Sequence, residues 1–240
     1  MGKVQTPATR SKAPTAPSTD RDVGAFLVDV KARPLRTSEG RGRLVFAMDA
    51  TMSRQPTWDK ALEIQARMFD ETAKIGGLDV QLVYFRGLDE CMASRWVSDP
   101  ASLGRLMTRI RCQGGHTQIR KVLSHLKMEA QAGKVHAAVY VGDCLEEDID
   151  ALCVQAGELA LLGLPLFMFQ EGVEPNAERG YREIARLTRG AYCRFDVNAA
   201  DQLRDLLSAV AVYAAGGRTA LANYGRGGRG NATRLLEQLR

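Results

Sequence analysis

The sequence is short of most residues that soft-metal or redox chemistry would need. It has three histidines and five cysteines, and no two cysteines form a CxxC pair. No closed four-ligand Cys/His spacing supports a zinc site, and Cys112, His116 and Cys144 are the one set that could form one. The scattered, odd-numbered cysteines (Cys91, Cys112, Cys144, Cys153, Cys193) suit a reducing compartment and point to a cytoplasmic location. No stretch approaches the roughly 18 uninterrupted apolar residues of a membrane span, and no secretory apolar region opens the chain, so export is not expected. Met1-Gly2 with Thr6 fits only a loose myristoylation pattern. Pro7, Pro14 and Pro17 argue against the amphipathic helix of a transit peptide. There is no Walker loop. The only clustered GxGG, Gly225 to Gly228, follows no strand, so a nucleotide role lacks support.

What is present is enough for one α/β domain and two tails. The 240 residues are 45% hydrophobic and 25% charged, ordinary values for a globular chain with a real core. The net charge of +5 is unevenly spread. Residues 1–43 carry +5 and 216–240 carry +4, which leaves 44–215 at −4. The basic pI therefore belongs to the tails and implies no basic face on the fold.

Residues 1–40 read as a disordered basic tail. Within it, 22–33 (DVGAFLVDVKAR) holds a short apolar segment that either packs on the domain or docks on another protein. Residues 216–240 read as a Gly/Arg-rich tail with a short helix, and its GRGGRG offers a flexible cation for weak nucleic-acid contact.

Between the tails the pattern alternates. Apolar runs at 44–48, 79–85, 136–142, 165–170 and 191–195 predict buried strands, and 90–97 predicts a short antiparallel edge strand. Helical periodicity fills 57–75, 101–110, 118–132, 146–162, 176–188 and 200–215, with Thr57 as the expected first N-cap and Gly76-Gly77 as its stop. Strand–helix alternation with short connections predicts a doubly wound, mainly parallel sheet, Rossmann-like, with helices on both faces. Ligands of such sheets bind beyond the carboxyl ends of the strands.

Three stretches fall at that edge. Asp49 ends the first strand, and hydroxyls follow at alternate positions, Thr51 and Ser53. Gly114-Gly115 precede Thr117 just before a helix. Asp143 closes the strand AAVYVGD. Carboxylates and hydroxyls without soft donors suit a hard divalent cation, Mg²⁺ or else Mn²⁺ or Ca²⁺. Each residue also has a plain structural reading: Asp49 as an Asx turn, Thr117 as an N-cap, and Asp143 as a cap for the helix near Glu146. Glu146, Glu147 and Asp148 would favour the N-terminus of that helix. His116 reads as a rim residue. Arg54 and Trp58 read as the rim of a partner surface, with core packing of Trp58 as the alternative.

DATMS, GGHT and GD, each following an apolar strand in that order, resemble the metal-ion-dependent adhesion site of von Willebrand factor A (vWA) domains over roughly residues 42–215. Asp49, Ser53, Thr117 and Asp143 match the family pattern. Thr51 stands where Ser is usual, and Cys144 replaces the usual Gly. The resemblance implies that the hydroxyls and Thr117 bind the ion, that the carboxylates act directly or through water, and that an Asp or Glu of a partner protein fills an open position. It implies a metal-dependent adaptor that performs no chemistry. Two other readings compete. One is a Mg²⁺-dependent phosphatase of haloacid-dehalogenase type, although Thr51 stands where its general acid would be. The other is a scaffold that binds through its basic tails.

Overall fold

The structure is a computed structural model that describes residues 40–196, 200–227 and 230–239. The N-terminal tail and its apolar segment at 22–33 lie outside the described residues, apart from Gly40. So does part of GRGGRG, residues 228 and 229.

Six strands form one sheet: β1 Gly42–Asp49, β2 Leu78–Arg86, β3 Glu90–Ala93, β4 Ala137–Gly142, β5 Leu166–Glu171 and β6 Tyr192–Phe195. Their spatial order is β3-β2-β1-β4-β5-β6. Every neighbouring pair is parallel except β2 with β3. The chain winds outward from β1 to β2 and β3, then crosses to β4 on the other side. The boundary between β1 and β4 is thus the switch point of the strand order, where a parallel sheet opens a crevice.

Eight helices accompany the sheet among the described residues: α1 Gln55–Ile64, α2 Ala66–Thr72, α3 Pro100–Met107, α4 Ile119–Ala132, α5 Ile149–Leu161, α6 Pro175–Leu187, α7 Ala200–Gly225 and α8 Gly230–Gln238. The reason for the unbroken apolar strands is visible in β1. Leu44, Phe46 and Met48 pack on one face with Trp58, Met68, Leu103 and Val210, from α1, α2, α3 and α7. Val45 and Ala47 pack on the other with Ile119, Leu126, Leu152 and Ile184, from α4, α5 and α6. A strand covered on both faces gains from apolar side chains at every position, each contributing about 1.5–3 kcal/mol on burial. No described helix is long and apolar enough to cross a membrane.

Several boundaries differ from the sequence expectation. The helix expected over 57–75 is split. A 3₁₀ turn at Met52–Arg54 leads into α1, and α2 ends in another at Ala73–Ile75. Thr57 is not the N-cap, because the helix starts ahead of Pro56, whose missing N–H is no loss in a first turn. The stop is as expected, with Gly76 in the left-handed region at φ 112°. Asp143 does not cap α5. Asp148 does, accepting from Asp150 N–H at 3.1 Å.

The segment expected as a C-terminal tail carries a buried face. α7 runs to Gly225, interrupted by Gly217 at φ 68°, ψ −164°. Leu221, Ala232, Leu235 and Leu239 join the core of the α7 side. Gln238 lies against the edge strand β6. Its Oε1 accepts the Tyr192 N–H at 2.8 Å, and its Nε2 donates to the Tyr192 carbonyl at 3.0 Å.

Candidate metal centre

Asp49 is the last residue of β1, flanked by β2 and β4, and is 1% exposed. Its Oδ1 accepts the Thr51 N–H at 2.7 Å, an Asx turn that folds the chain back at the strand end. The 3₁₀ turn at Met52–Arg54 follows, closed by Arg54 N–H donating to Thr51 C=O at 2.9 Å. That tight turn sets the hydroxyls of Thr51 and Ser53 3.3 Å apart. Met48 lies opposite Val141 in the register of β1 and β4, so Asp143 emerges just beyond β4 beside this turn. Ser53 Oγ donates to Asp143 Oδ2 at 3.3 Å. The structure therefore brings Asp49, Thr51, Ser53 and Asp143 together from two strand ends. Burial pushes the Asp49 carboxyl up to about 6, against the lowering effect of its hydrogen bonds with Thr51.

Thr117 stands on the loop before α4. Gln113 N–H donates to Ala50 C=O at 3.0 Å, and His116 N–H donates to Gly87 C=O at 3.1 Å, tying this loop to the same sheet edge. Gly115 permits that approach, since a Cβ there would lie 2.0 Å from the Gly87 oxygen, whereas one at Gly114 would meet open space. The Thr117 hydroxyl accepts the Glu146 N–H at 3.2 Å, and its own N–H donates to Glu146 Oε2 at 3.0 Å. This reciprocal pair joins the α4 loop to the β4–α5 loop. Thr117 is thus tied to the loop that carries Asp143, and its hydroxyl bonds Glu146, not Ser53.

Two of the three expected rim residues need correction. Trp58 is 2% exposed, donates Nε1–H to Met107 C=O at 3.2 Å and meets Tyr84 edge-on at 6.4 Å between centroids. It belongs to the core, because α1 turns that face onto the sheet. Arg54 is 7% exposed and also faces inward. Its Nη2 lies 3.0 Å from Asp143 Oδ2, and its Nη1 pairs with Glu171. His116 is exposed and pairs with Glu146 at 3.3 Å.

Glu171 was missed by the sequence reading. It ends β5 at the same sheet edge, is 8% exposed, and accepts from the Thr57 hydroxyl as well as pairing with Arg54. The available signal was the acid closing the apolar run LFMFQE. The roles of Glu146 and Glu147 also differ from expectation. Glu147 caps α4 rather than its own helix, accepting from Ile119 N–H at 2.5 Å and Arg120 N–H at 3.0 Å, while Glu146 accepts from Thr117 N–H ahead of that helix. Four N–H groups stand unpaired at any helix start, and the Glu147 carboxylate satisfies two of them from another loop.

A divalent cation fits the donor set. An octahedral ion with bonds of about 2.1 Å spaces its neighbouring ligand oxygens by about 3 Å. Thr51 to Ser53 and Ser53 to Asp143 are both 3.3 Å. The donors are all oxygen, and Asp49 is a buried acid whose near contacts are hydrogen-bond donors rather than a cation at ion-pair distance. Among the described residues no three His, Cys, Asp or Glu side chains gather as an ion cluster, so a cation here would rest on the hydroxyls as well as on the acids. Burial pushes the thiols of Cys112 and Cys144 up to about 11, which keeps them protonated. A cleft of about 1030 Å³ opens beside the centre, lined by Arg54, Asp143 and Glu171 and by residues of β6 and α8.

No protein-family model and no curated protein matches the sequence. Solved structures do match in three dimensions. A von Willebrand factor type A structure from Catenulispora acidiphila aligns with a TM-score of 0.58 at 15% identity, over 70% of this chain and 42% of that one. The SpRpn10 VWA domain aligns at 0.53 and 10% identity, over 68% and 95%. Proximal thread matrix protein 1 from the mussel byssus, in a form described with a zinc-occupied MIDAS motif, aligns at 0.55 and 14% identity, over 72% and 46%. The chain spans less than half the length of the Catenulispora and mussel chains. At these identities the likeness is one of fold: this chain shares the fold of von Willebrand factor A domains.

Proposed function

We propose that the chain is a cation-dependent protein-binding module. A divalent ion, Mg²⁺ or else Mn²⁺ or Ca²⁺, is held at the β1/β4 switch point by Asp49, Thr51, Ser53, Thr117 and Asp143. A carboxylate of a partner protein completes its shell. The observation that carries this reading is the link from Ser53 Oγ to Asp143 Oδ2 at 3.3 Å, which joins the hydroxyl turn after β1 to the acid after β4. Neutral hydroxyls among the ligands leave the ion electrophilic, so an incoming carboxylate gains more from it than it would beside a fully neutralised ion. The neighbouring cleft gives the partner's segment room.

The fold shared with the SpRpn10 and mussel domains supports a binding role rather than catalysis. Thr51 is hydrogen-bonded into the Asx turn, at the place where a haloacid-dehalogenase phosphatase needs a second acid as proton donor. Five free thiols fit a cytoplasmic adaptor. Weak nucleic-acid contact by GRGGRG, and binding through the basic tails, remain independent of the centre.

The test is direct. Isothermal titration with Mn²⁺ should give one binding event per chain that Asp49→Ala abolishes. Capture of a partner from the native cell extract should require Mg²⁺, fail in EDTA and fail with Asp49→Ala. Capture that ignores both EDTA and Asp49→Ala, yet is lost when residues 1–40 are deleted, would move the function to the tail.

A further inference from the structure

Arg54 already brings a positive charge into the proposed centre. Its side chain is 9% exposed, with Nη2 at 3.0 Å from Asp143 Oδ2 and Nη1 on Glu171. Its Nε lies 3.5 Å from Ser53 Oγ. The Asp143 oxygen that Arg54 holds is the same Oδ2 that accepts from Ser53. A divalent ion that takes Asp143 Oδ2 into its shell with Ser53 therefore takes an atom the guanidinium is using. Two like charges that close, away from water, repel strongly.

The structure also provides somewhere for the guanidinium to stay. Glu171 is a second carboxylate on Arg54, more deeply buried than Asp143 and bonded by the Thr57 hydroxyl. A buried Arg stripped of all partners would be costly. One that keeps Glu171 while giving up Asp143 is not.

We propose that Arg54 competes with the divalent cation for Asp143, so that the centre exchanges between an Arg54-held and a cation-held form, with Glu171 retaining the guanidinium in the second. This rests on the reading of the centre as a cation site and adds a regulator to it. The cation alone binds weakly, because it must displace a resident charge. A partner's carboxylate adds negative charge to the cation-held form only, so cation and partner favour each other reciprocally. Arg54 thus makes the chain empty-handed without its partner and loaded with it.

The probe is Mn²⁺, followed by calorimetry on the full chain. Arg54→Met should bind Mn²⁺ roughly tenfold tighter than the wild type, a shift in the usual range of coupled sites. Because Arg54→Met leaves the buried Glu171 and the half-buried Asp143 without their shared cation, a second measurement uses the wild-type fold. The Nε–H resonance of Arg54, assigned by its loss in Arg54→Lys, should move during a Mg²⁺ titration with the same midpoint as the calorimetric signal. If wild type binds Mn²⁺ in an Asp49-dependent way, but Arg54→Met binds no tighter and the Nε–H signal stays still, the competition is refuted and the cation site stands. If neither wild type nor Arg54→Met binds Mn²⁺, both fall.

Discussion

Ser53 and Asp143 meet across 3.3 Å although 90 positions separate them in the chain. The sheet makes that contact, because β1 and β4 are neighbours whose carboxyl ends point the same way. Ser53 is exposed, and its hydroxyl makes only long contacts, with Thr51, Arg54 and Asp143. Ser53→Ala should leave the unfolding free energy within about 0.5 kcal/mol of the wild type, as for most surface substitutions. It should nevertheless weaken Mn²⁺ binding in calorimetry. Equal binding by the variant would remove Ser53 from the ligand set.

Asp49 allows a sharper separation of stability from binding. Asn at this position keeps an oxygen for the Thr51 N–H and removes a charge buried at 1% exposure. In EDTA, Asp49→Asn should melt no lower than the wild type, since burying an unpaired charge is unfavourable. With Mg²⁺ at 100 times its dissociation constant, the wild type should gain about 2.7 kcal/mol by mass action, and the variant should gain almost none. Thermal melts of both proteins with and without Mg²⁺ decide this.

Trp58 should behave as a core residue. Trp58→Ala removes a side chain packed against Tyr84 and the β1 face, and should lose about 3–5 kcal/mol in urea denaturation. Trp58→Phe keeps most of the packing and takes one of two donors from the Met107 carbonyl, which retains the Ile110 N–H, and should lose about 0.5–1.5 kcal/mol.

Gly115→Ala tests the loop that carries Thr117. The new methyl would press on the Gly87 carbonyl, which is backbone and cannot rotate away. The loop must shift, breaking the His116 to Gly87 hydrogen bond. The expected result is a loss of about 1–3 kcal/mol together with weaker Mn²⁺ binding. Gly114→Ala, facing open space, is the matched control and should bind as the wild type does.

His136 should give the protein an acid-sensitive step. Its Nδ1 accepts the Arg43 N–H at 3.0 Å, so that nitrogen must be unprotonated in the folded state. Burial, with Lys134 and Arg43 nearby, lowers its pKa below the usual 6.5. The unfolded chain then binds the proton more readily than the folded one. Stability from this group is complete above about pH 6.5 and is lost as pH falls below it. His125, lowered by burial and bonded to Gln81, adds to the same slope. Urea denaturation at pH 7.5 and 5.5 should show a fall for the wild type that is reduced in His136→Gln. An unchanged difference would remove His136 as its source.

The strands and the acids at their ends were legible because they obey local rules. A strand covered on both faces is apolar throughout, and Asp49 and Asp143 stand out as the polar residues where such runs stop. The hydroxyls at 51 and 53 were legible through their alternate spacing. The Arg54–Glu171 pair was not, since its members come from the β1 and β5 ends and nothing local marks either as the other's partner. The same holds for Glu147, which caps a helix 28 positions upstream. Trp58 was open to two readings, because an aromatic at a helix start suits a rim and a core equally until the helix is docked. Residues 216–239 looked like a tail because Gly and Arg dominate their composition. The few leucines that seat α7 and α8 on the core were too sparse to show a period.

The amide of Gln238 imitates a neighbouring strand. It offers Tyr192 one acceptor and one donor, the pair that a further peptide unit would supply. An unguarded sheet border recruits strands from other molecules, and here a side chain has taken the vacant seat at that point. Clipping the chain ahead of α8 would leave Tyr192 with its backbone N–H and carbonyl unanswered and uncover Cys193. Clumping of such a shortened protein during purification would then report the missing guard rather than any fault at the ion-binding end.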